Sequence, residues 1–423
     1  LEGESHNGIA WEIVMKLSNR LFLFVFTFFF SAVLASVAGG ADDWPQWRGI
    51  QRDGSGSAEG LATDWKKNPP RVIWKANVGT GFSSIAVSGA LALTIGNKEG
   101  SDTVYAFDAA TGAAKWKHTY PCDLDPLRHE GGPFATPTIV GERVYTLSKL
   151  GHLFCLKLAT GKVVWKVDLV AATGSQRETY GFSGSPLVVG KRVIVSAGSA
   201  GAAFNADTGK LVWKSKPHIK PGHASPVLIS VGKDKKPGVL IMGKTLMSIV
   251  NPSDGSVIAR QELVGQGRRI YKIADPLVLG DSVFVTSTYG YVCTRIKLSG
   301  GKFSEMWRNK NLTSKFLSPV VIDAYIVGGH LERWFRCIDP ASGEVKWEDK
   351  SFAGNVIRAG KLSLILTTTG DLILADISAK GFKELGRAKV LKGKCWTMPA
   401  LAGGKAYCRN ADGDLVCVDV SGK

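Results

Sequence analysis

The stretch VYAFDAATGAAKW at residues 104–116 decides the fold, because copies of it recur along the chain. In each close copy Thr or Ser precedes a Gly, and a Trp follows that Gly four residues later. The close copies are FCLKLATGKVVW at 154–165, AFNADTGKLVW at 203–213 and RCIDPASGEVKW at 336–347, and weaker ones lie at 248–259 and 295–307. Recurrence of this kind indicates an architecture of repeated structural units.

Elementary backbone chemistry explains the motif. Asp or Asn followed by Thr and Gly makes a tight turn, with Gly taking the positive φ that other residues resist. The Trp then lies on the next strand, where its ring can cover the seam between two units. Each unit also opens with a pair that starts an apolar strand: Thr136–Pro137, Ser185–Pro186, Ser225–Pro226, Asp275–Pro276, Ser318–Pro319 and Met398–Pro399. Units spaced roughly 40 to 50 residues apart are typical of four-stranded blades.

The repeat therefore predicts an all-β fold, an eight-bladed β-propeller of four-stranded antiparallel blades. Seven blades is the alternative, if residues 355–390 are an insertion. The last unit stops after three strands, at 400–420, and we expect RVIWKANV at 71–78 to supply its outer strand and close the ring. The structural tryptophans of the repeat are then Trp74, Trp116, Trp165, Trp213, Trp307 and Trp347.

The amino-terminal region has the pattern of an export leader. Lys16 and Arg20 precede an apolar run at 21–30 that ends in small residues, which predicts a signal peptide at 15–41, with an uncleaved anchor as the alternative. Residues 1–14 are expected to be upstream, non-native sequence, 42–70 an extension, and 71–423 the propeller. The first Cys after the apolar run is Cys122, so a lipid anchor is not expected. We therefore expect an exported, soluble monomer of the periplasm or extracytoplasmic envelope, and not an integral membrane protein.

The chain carries 53 Lys and Arg against 36 Asp and Glu, a net charge of +17. Such a field attracts polyanions, although the basic residues are scattered rather than massed. For an exported chain this favours a protein or an anionic polysaccharide of the envelope as partner over nucleic acid.

Seven cysteines in an exported chain leave at least one unpaired. Asp412 and Gly413 have the composition of a two-residue hairpin turn, which would place Cys408 opposite Cys417. The sequence thus predicts a cross-strand disulfide between these two residues.

The Thr-Gly turn with its Trp resembles the tryptophan-docking repeat of the pyrroloquinoline quinone (PQQ)-like β-propeller family. The stretch DWPQWRGIQRDG at 43–54 looks like the leader of exported PQQ-like proteins of planctomycete-type bacteria. The family resemblance implies quinoprotein dehydrogenases and, more distantly, the propeller subunit of the outer-membrane β-barrel assembly machinery. Its enzymes hold PQQ with Ca²⁺, often against a disulfide between adjacent cysteines, and no two cysteines are adjacent here. We therefore expect no cofactor, no metal and no catalytic residue, with PQQ and calcium as the alternative.

A binding site on a propeller lies at the axis or on a face, where loops that lead into the inner strands converge. The candidates in those loops mix cations with aromatic rings: Arg128, His129, Glu130, Tyr180, Arg268, Arg269, Tyr271, Lys315 and Trp396. Ordinary solvated loop residues are the plain alternative. The sequence favours a non-catalytic binding or scaffolding propeller of the bacterial cell envelope. The alternatives are a PQQ-dependent or other cofactor-dependent oxidoreductase, and an outer-membrane protein assembly subunit.

Overall fold

The computed structural model describes residues 42–127, 129–216, 220–263, 273–288, 290 and 292–422. The predicted upstream segment and signal peptide at 1–41 lie outside them. The strands form eight blades of four antiparallel strands each, one of which gains a fifth, parallel strand, so the predicted eight-bladed propeller is confirmed. Residues 354–389, the unit that would have been an insertion in a seven-bladed ring, form a complete blade.

The blades follow one another along the chain, each from its inner to its outer strand. Blade 1 comprises Ala86–Ser88, Leu91–Lys98, Ser101–Asp108 and Ala114–Pro121; blade 2, Thr138–Val140, Arg143–Leu147, His152–Lys157 and Val163–Asp168; blade 3, Leu187–Val189, Arg192–Val195, Ala202–Asn205 and Leu211–Lys214; blade 4, Val227–Val231, Lys236–Met242, Leu246–Val250 and Val257–Glu262. Blade 5 comprises Leu277–Leu279, Ser282–Ser287, Val292–Ser299 and Lys302–Asn309; blade 6, Val320–Ile322, Tyr325–His330, Trp334–Ile338 and Val345–Asp349; blade 7, Gly354–Ala359, Leu362–Thr367, Asp371–Ser378 and Gly381–Lys389; blade 8, Ala400–Ala402, Lys405–Arg409, Asp414–Asp419 and Arg71–Asn77.

Blade 8 closes the ring as predicted. Its outer strand, Arg71–Asn77, pairs antiparallel with Asp414–Asp419. Arg409 then joins blade 8 to blade 1, since its buried guanidinium donates to the carbonyl oxygens of Ser83 and Ile95 at 3.0 and 2.7 Å. Burial lowers the pKa of Arg409 to about 9.

The repeat tryptophans lie at the seams between blades. Each indole N–H donates to a backbone carbonyl of the following blade, as Trp165 does to Ala206 at 2.9 Å. The other five bonds are Trp74 to Ala109, Trp116 to Leu158, Trp213 to Pro252, Trp307 to Pro340 and Trp347 to Ser378. The turn glycine of the following blade lies against the ring: Gly209 has φ +70°, and a Cβ there would be 2.8 Å from the Trp165 ring. Glycine is thus required here for two reasons: other residues resist the positive φ, and a Cβ would collide with the indole ring.

Two blades lack this tryptophan on their outer strand. At the matching position, the first paired residue after the bulge, blade 4 has Ala259 and blade 7 has Gly386. In blade 7 the extension fills the space, because the Cβ of Trp65 lies where a side chain at Gly386 would go. Trp65 is buried with Leu374 in the hydrophobic core there. Trp65 thus covers the position of the missing repeat tryptophan, although its indole N–H does not make the seam hydrogen bond of the other six.

A hydrogen-bond ring surrounds the axis where the inner strands begin. In each of five steps a backbone N–H of one blade donates to a side-chain oxygen of the next. The steps run from Ser84 to Thr136 (3.1 Å), Thr136 to Ser185 (2.8 Å), Ser185 to Ser225 (3.1 Å), Ser225 to Asp275 (2.8 Å) and Asp275 to Ser318 (3.0 Å). We call this set the inner ring. It ties blades 1 to 6 together, and the Ser84 hydroxyl continues it to blade 8 by donating to the Met398 carbonyl oxygen.

Residues 42–56, which we call the axial segment, cross the centre of the propeller. Ser55–Gly56 adds a parallel strand to the inner strand of blade 7. The segment also bonds to the inner strands or preceding loops of other blades: Trp44 with Val87, Pro45 with Ile139, Trp47 with Asp275, Arg48 with Pro319, Arg52 with Ser185 and Pro186, and Asp42 with Gly403. The resemblance noted for 43–54 thus falls on residues that line the axis.

Two arginines of the axial segment are buried with one aspartate. Arg48 is 0% exposed and donates to the carbonyl oxygen of Pro319 at 2.7 Å. Burial lowers the pKa of Arg48 and lowers that of Arg52 to about 10, and the charge of Asp275 opposes both shifts. Burial also raises the pKa of Asp275. Carbonyl oxygens accept from Nε and Nη2 of Arg48 and from both terminal nitrogens of Arg52, and the negative charge of Asp275 stabilises both buried cations.

The predicted disulfide between Cys408 and Cys417 is wrong. Cys417 pairs with Tyr407 and Cys408 with Val416, a register one residue away from the predicted one. A one-residue shift turns the two side chains to opposite faces of the blade, and both thiols are free and buried. The loop is longer than assumed, because Asn410 pairs with Asp414 around three residues.

The described residues include a short helix, Leu169–Thr173, which Asp168 caps at its amino end. Within the described part of the chain, no helix has the length and apolar character needed to cross a membrane.

Replacing Arg48 with Met should lower the free energy of unfolding by about 3 kcal/mol, because the carbonyl oxygens of Arg52, Asp53 and Pro319 lose their donor and the buried Asp275 loses a nearby positive charge. Urea unfolding followed by tryptophan fluorescence measures this. Arg71→Met is the matched control, since Arg71 pairs with Asp419 on the surface and its loss should change stability little. Equal losses in the two variants would contradict the buried role of Arg48.

The free thiols give a second expectation. Alkylation in denaturant without reductant should label both Cys408 and Cys417, and peptide mass spectrometry can locate the labels. In the native protein both should react slowly, because they are buried and burial raises the pKa of Cys417 to about 12. Recovery of two peptides joined by a Cys408–Cys417 disulfide would contradict this result and support the register in which the two cysteines face each other.

Candidate functional site

A pocket opens at the axis on the side of the inner ring away from the inner strands. Six of its sixteen lining residues stand two positions before an inner-ring residue, since side chains i and i+2 of an extended chain point the same way. Phe82 precedes Ser84 in this manner, Phe134 precedes Thr136, and Phe316 precedes Ser318. The cavity is about 150 Å³ in volume and is lined by Trp47, Phe82, His129, Phe134, Tyr180, Ser183, Ser185, His223, Ser225, Ile273, Asp275, Lys315, Phe316, Ser318, Trp396 and Thr397.

Four aromatic rings follow one another around the wall. Phe316 stacks on Trp396 with 4.4 Å between ring centroids, Trp396 on Phe82 at 5.9 Å, and Phe82 on Phe134 at 5.7 Å. His129 lies perpendicular to both Phe82 and Phe134, at 5.6 and 5.3 Å. The wall therefore already holds one planar ring in an edge-to-face arrangement, which is a favoured geometry for aromatic pairs.

Trp47 of the axial segment reaches the pocket from the opposite side. Its indole N–H donates to the Asp275 carboxylate at 2.5 Å. Asp275 holds the inner-ring position that Ser or Thr holds in the neighbouring blades. A carboxylate suits this position because one oxygen accepts from Ser225 N while the other accepts from Trp47. The axial segment thus bounds the pocket that the repeat surrounds.

Two lysines add positive charge near the mouth. The ammonium of Lys315 lies 4.4 Å from the centroid of the Phe316 ring, and that of Lys394 lies 4.5 Å from the Trp396 ring. Lys394 also forms an ion pair with Glu130 at 2.5 Å. Each cation over a ring contributes about 0.5 to 1 kcal/mol at an exposed site.

His223 and Ser183 form a polar patch in this largely aromatic wall. The Ser183 hydroxyl and His223 Nδ1 are 3.0 Å apart. Burial lowers the pKa of His223 to about 4, so its imidazole is neutral at pH 7. A hydroxyl beside a neutral imidazole is also the start of a nucleophilic pair. However, the nearby backbone amides of Ser185 and Ser225 already donate within the inner ring, so they cannot stabilise an oxyanion.

The structure brings four of the predicted site residues together, since His129, Tyr180, Lys315 and Trp396 all line the pocket. Glu130 lies beside them through its bond to Lys394. The other predicted residues, Arg128, Arg268, Arg269 and Tyr271, lie outside the described part of the chain.

Sequence reasoning missed the aromatic wall and the residue opposite it. Phe82, Phe134 and Phe316 mark the starts of units in the sequence, but their role as lining residues follows only from their place before the inner ring. The available signal was an aromatic residue two positions before a Ser or Thr, repeated in three units. Trp47 had no such signal, because it lies outside the repeat.

Comparison with known proteins agrees with this architecture. A family model described as outer membrane protein assembly factor BamB matches residues 100–349, which is more than half of the chain. The chain belongs to this BamB-like family of PQQ-repeat propellers. The resemblance drawn from the repeat is therefore confirmed.

The relatives of this BamB-like propeller fall into two groups. It is 22% identical over 372 residues to outer membrane protein assembly factor BamB of Shewanella oneidensis, a match covering 82% of this chain and 89% of the relative. Its fold matches the crystal structure of BamB from Moraxella catarrhalis with a TM-score of 0.60 at 18% identity, over 83% of this chain and 97% of that one. A shorter match, 30% identical over 120 residues, is to quinohemoprotein alcohol dehydrogenase ADH IIB of Pseudomonas putida and covers 26% of this chain and 17% of that enzyme.

The second group raises the question whether the pocket suits PQQ and calcium. A cavity of 150 Å³ is about the size that encloses a benzene ring, whereas cofactor pockets start at about 300 Å³. Calcium takes about six to eight oxygen ligands, and both Asp275 oxygens already accept hydrogen bonds. Among the described residues, no group of three or more His, Cys, Asp or Glu could hold a metal ion. The lining therefore does not fit PQQ with calcium.

Titration of His223 gives a test of the pocket's structure. Its pKa lies near 4 in the folded protein against an ordinary value of 6.5, so the unfolded chain takes up the proton first as pH falls. Folding stability should therefore decline between about pH 6.5 and 4, by up to about 3 kcal/mol from this group. The His223→Gln variant should lose less stability over this range than the unsubstituted protein, as measured by urea unfolding.

The half-buried His152 provides a control, since burial also lowers its pKa. His152→Gln should flatten the pH profile less than His223→Gln does. If both variants follow the unsubstituted protein, His223 is not buried in the neutral form.

Proposed function

We propose that this BamB-like propeller is a non-catalytic binding and scaffolding protein of the bacterial cell envelope. In this proposal it holds a polypeptide partner by taking one aromatic side chain of that partner into the axial pocket. The observation that carries the proposal is a benzene-sized cavity whose wall is a stack of four aromatic rings.

The size and chemistry of the pocket support a side chain as the occupant. Burying a phenylalanine side chain contributes about 1.5 to 3 kcal/mol, and contacts between aromatic rings add about 0.5 to 1.5 kcal/mol. A single anchor of this strength, about 2 to 4.5 kcal/mol, gives at best a dissociation constant of about 1 mM, so a tight complex would need further contacts.

The relatives support a protein as the class of partner. The similar proteins of Shewanella oneidensis and Moranella endobia are named outer membrane protein assembly factor BamB, and we propose that this chain acts in assembly of the same kind. The predicted leader at 15–41 supports an envelope location. An acidic polysaccharide, the other partner expected from the charge, has no support among these relatives and becomes an outcome of the tests.

The proposal is tested with a capped, flexible pentapeptide that carries a central Phe, and with its Ala counterpart. The Phe peptide should bind at millimolar concentration, and the Ala peptide should bind at least about tenfold more weakly. Trp396→Ala should lower the affinity for the Phe peptide by a similar factor, because Trp396 forms part of the wall. NMR titration of the protein amides reports both the affinity and the place of binding.

Trp334→Ala is the matched control, because Trp334 stacks on His330 in blade 6 and does not line the pocket. It should leave peptide affinity unchanged. Equal binding of the Phe and Ala peptides would refute the proposal. Addition of PQQ and Ca²⁺ should give no dye-linked alcohol oxidation, and turnover would favour the oxidoreductase alternative instead.

A further inference from the structure

A second cavity lies beside the aromatic pocket, between the loops that follow blades 1, 2 and 3 and the hairpin of blade 2 that contains Lys149. Its volume is about 480 Å³, and it is lined by Asp125, Lys149, Val170, Gln176, Arg177, Glu178, Thr179, Gly181 and Lys220. Tyr180 lines the aromatic pocket, while its neighbours Thr179 and Gly181 line this one. One residue therefore separates the two cavities.

The wall between the cavities is held in place by backbone contacts. Gly181 has φ +80°, and a Cβ there would lie 2.3 Å from the Lys149 carbonyl oxygen. The same oxygen accepts from the backbone N–H of Phe182 at 2.9 Å, and Gly181 N donates to the Glu178 carbonyl oxygen at 2.9 Å. These contacts hold Tyr180 in the lining of the aromatic pocket, while its neighbours Thr179 and Gly181 line the second cavity.

The second cavity has an excess of positive charge. Both of its carboxylates have cationic partners: Asp125 lies 3.5 Å from Lys149, and Glu178 lies 3.0 Å from Lys244. Among the described residues, no carboxylate lies within 4 Å of the remaining cations, Arg177 and Lys220. Arg177 is exposed and Lys220 is half-buried, so both are accessible from solvent. These two cations favour an anionic group as the occupant.

We infer that the partner presents an acidic residue within one or two positions of its aromatic anchor, and that Arg177 and Lys220 bind the carboxylate. This inference rests on the proposed function. Adjacent residues are about 3.8 Å apart along a chain, and side chains i and i+2 of a strand lie about 7 Å apart on one face. Because the neighbours of the pocket-lining Tyr180 line the second cavity, a residue next to the anchor, or two positions from it, is the one placed to reach that cavity. Arginine also suits a carboxylate because its two N–H groups can bind both oxygens.

The test uses four capped peptides of equal length. Three contain Phe and differ two positions later, with Glu, Gln or Lys, and the fourth contains Ala and Glu. The Phe and Glu peptide should bind most tightly, and replacement of Glu with Lys should weaken binding by about tenfold at about 20 mM salt. The preference should shrink at about 200 mM salt, because the cations are partly exposed.

Variants assign the effect to the second cavity. Arg177→Glu and Lys220→Glu should each reverse or abolish the preference for Glu over Lys, while affinity for the Phe and Gln peptide stays within about twofold. Lys233→Glu is the matched control, since this exposed lysine lies on the hairpin of blade 4 outside both cavities. The Lys233→Glu variant should prefer the Glu peptide over the Lys peptide as strongly as the unsubstituted protein does.

The outcomes separate the two proposals. Phe peptides that bind with no preference for Glu would overturn this inference and leave the proposed function intact. Failure of every Phe peptide to bind would remove the proposed function and this inference with it. If the Ala and Glu peptide bound as tightly as the Phe and Glu peptide, the site would be a general anion site, and the paired recognition would be refuted.

Discussion

The propeller depends on the hydrogen bonds of the inner ring. In each of them a backbone N–H of one blade donates to a side-chain oxygen of the next blade. Proline follows most of the residues concerned and has no N–H to donate, so the amide before it is the last free donor ahead of the inner strand. A hydroxyl or carboxylate from the neighbouring blade accepts from that amide, as Ser185 does for Thr136. The position of each inner strand is thereby set relative to its neighbour, and the wall residues two positions earlier follow with it.

The parts of the fold that depend on local chemistry could be predicted from the sequence. The turn with its positive-φ glycine and the following tryptophan needs only adjacent residues, which is why Trp74 identified the closing strand. The hairpin at 412–413 could not be predicted in this way. Its register depends on Asn410 bonding to Asp414 and on Tyr407, whose hydroxyl donates to Ala109 in the neighbouring blade. The second of these contacts joins distant parts of the chain and leaves no local pattern.

The residues of the candidate site also fall into those that the sequence could predict and those that it could not. His129, Tyr180, Lys315 and Trp396 could be chosen from the sequence because loops before the inner strands converge on the axis in any propeller. Trp47 and the buried Arg48 could not, because their surroundings are made by blades 5 and 6, far along the chain. The repeat likewise cannot predict that Trp65, which lies outside it, packs against Gly386 where the seventh unit has no tryptophan.

Residues 42–77 complete three separate parts of the molecule: the axis, the seam at blade 7 and the outer strand of blade 8. All three lie next to strands from the second half of the chain, such as Gly354–Ala359 and Asp414–Asp419. During synthesis or export these early residues emerge first, yet the strands that pair with Ser55–Gly56 and Arg71–Asn77 lie in the last two blades and emerge much later. Until then both strands stay unpaired and Trp65 lacks Gly386, so this part of the nascent chain is exposed to aggregation and proteolysis until those blades are made.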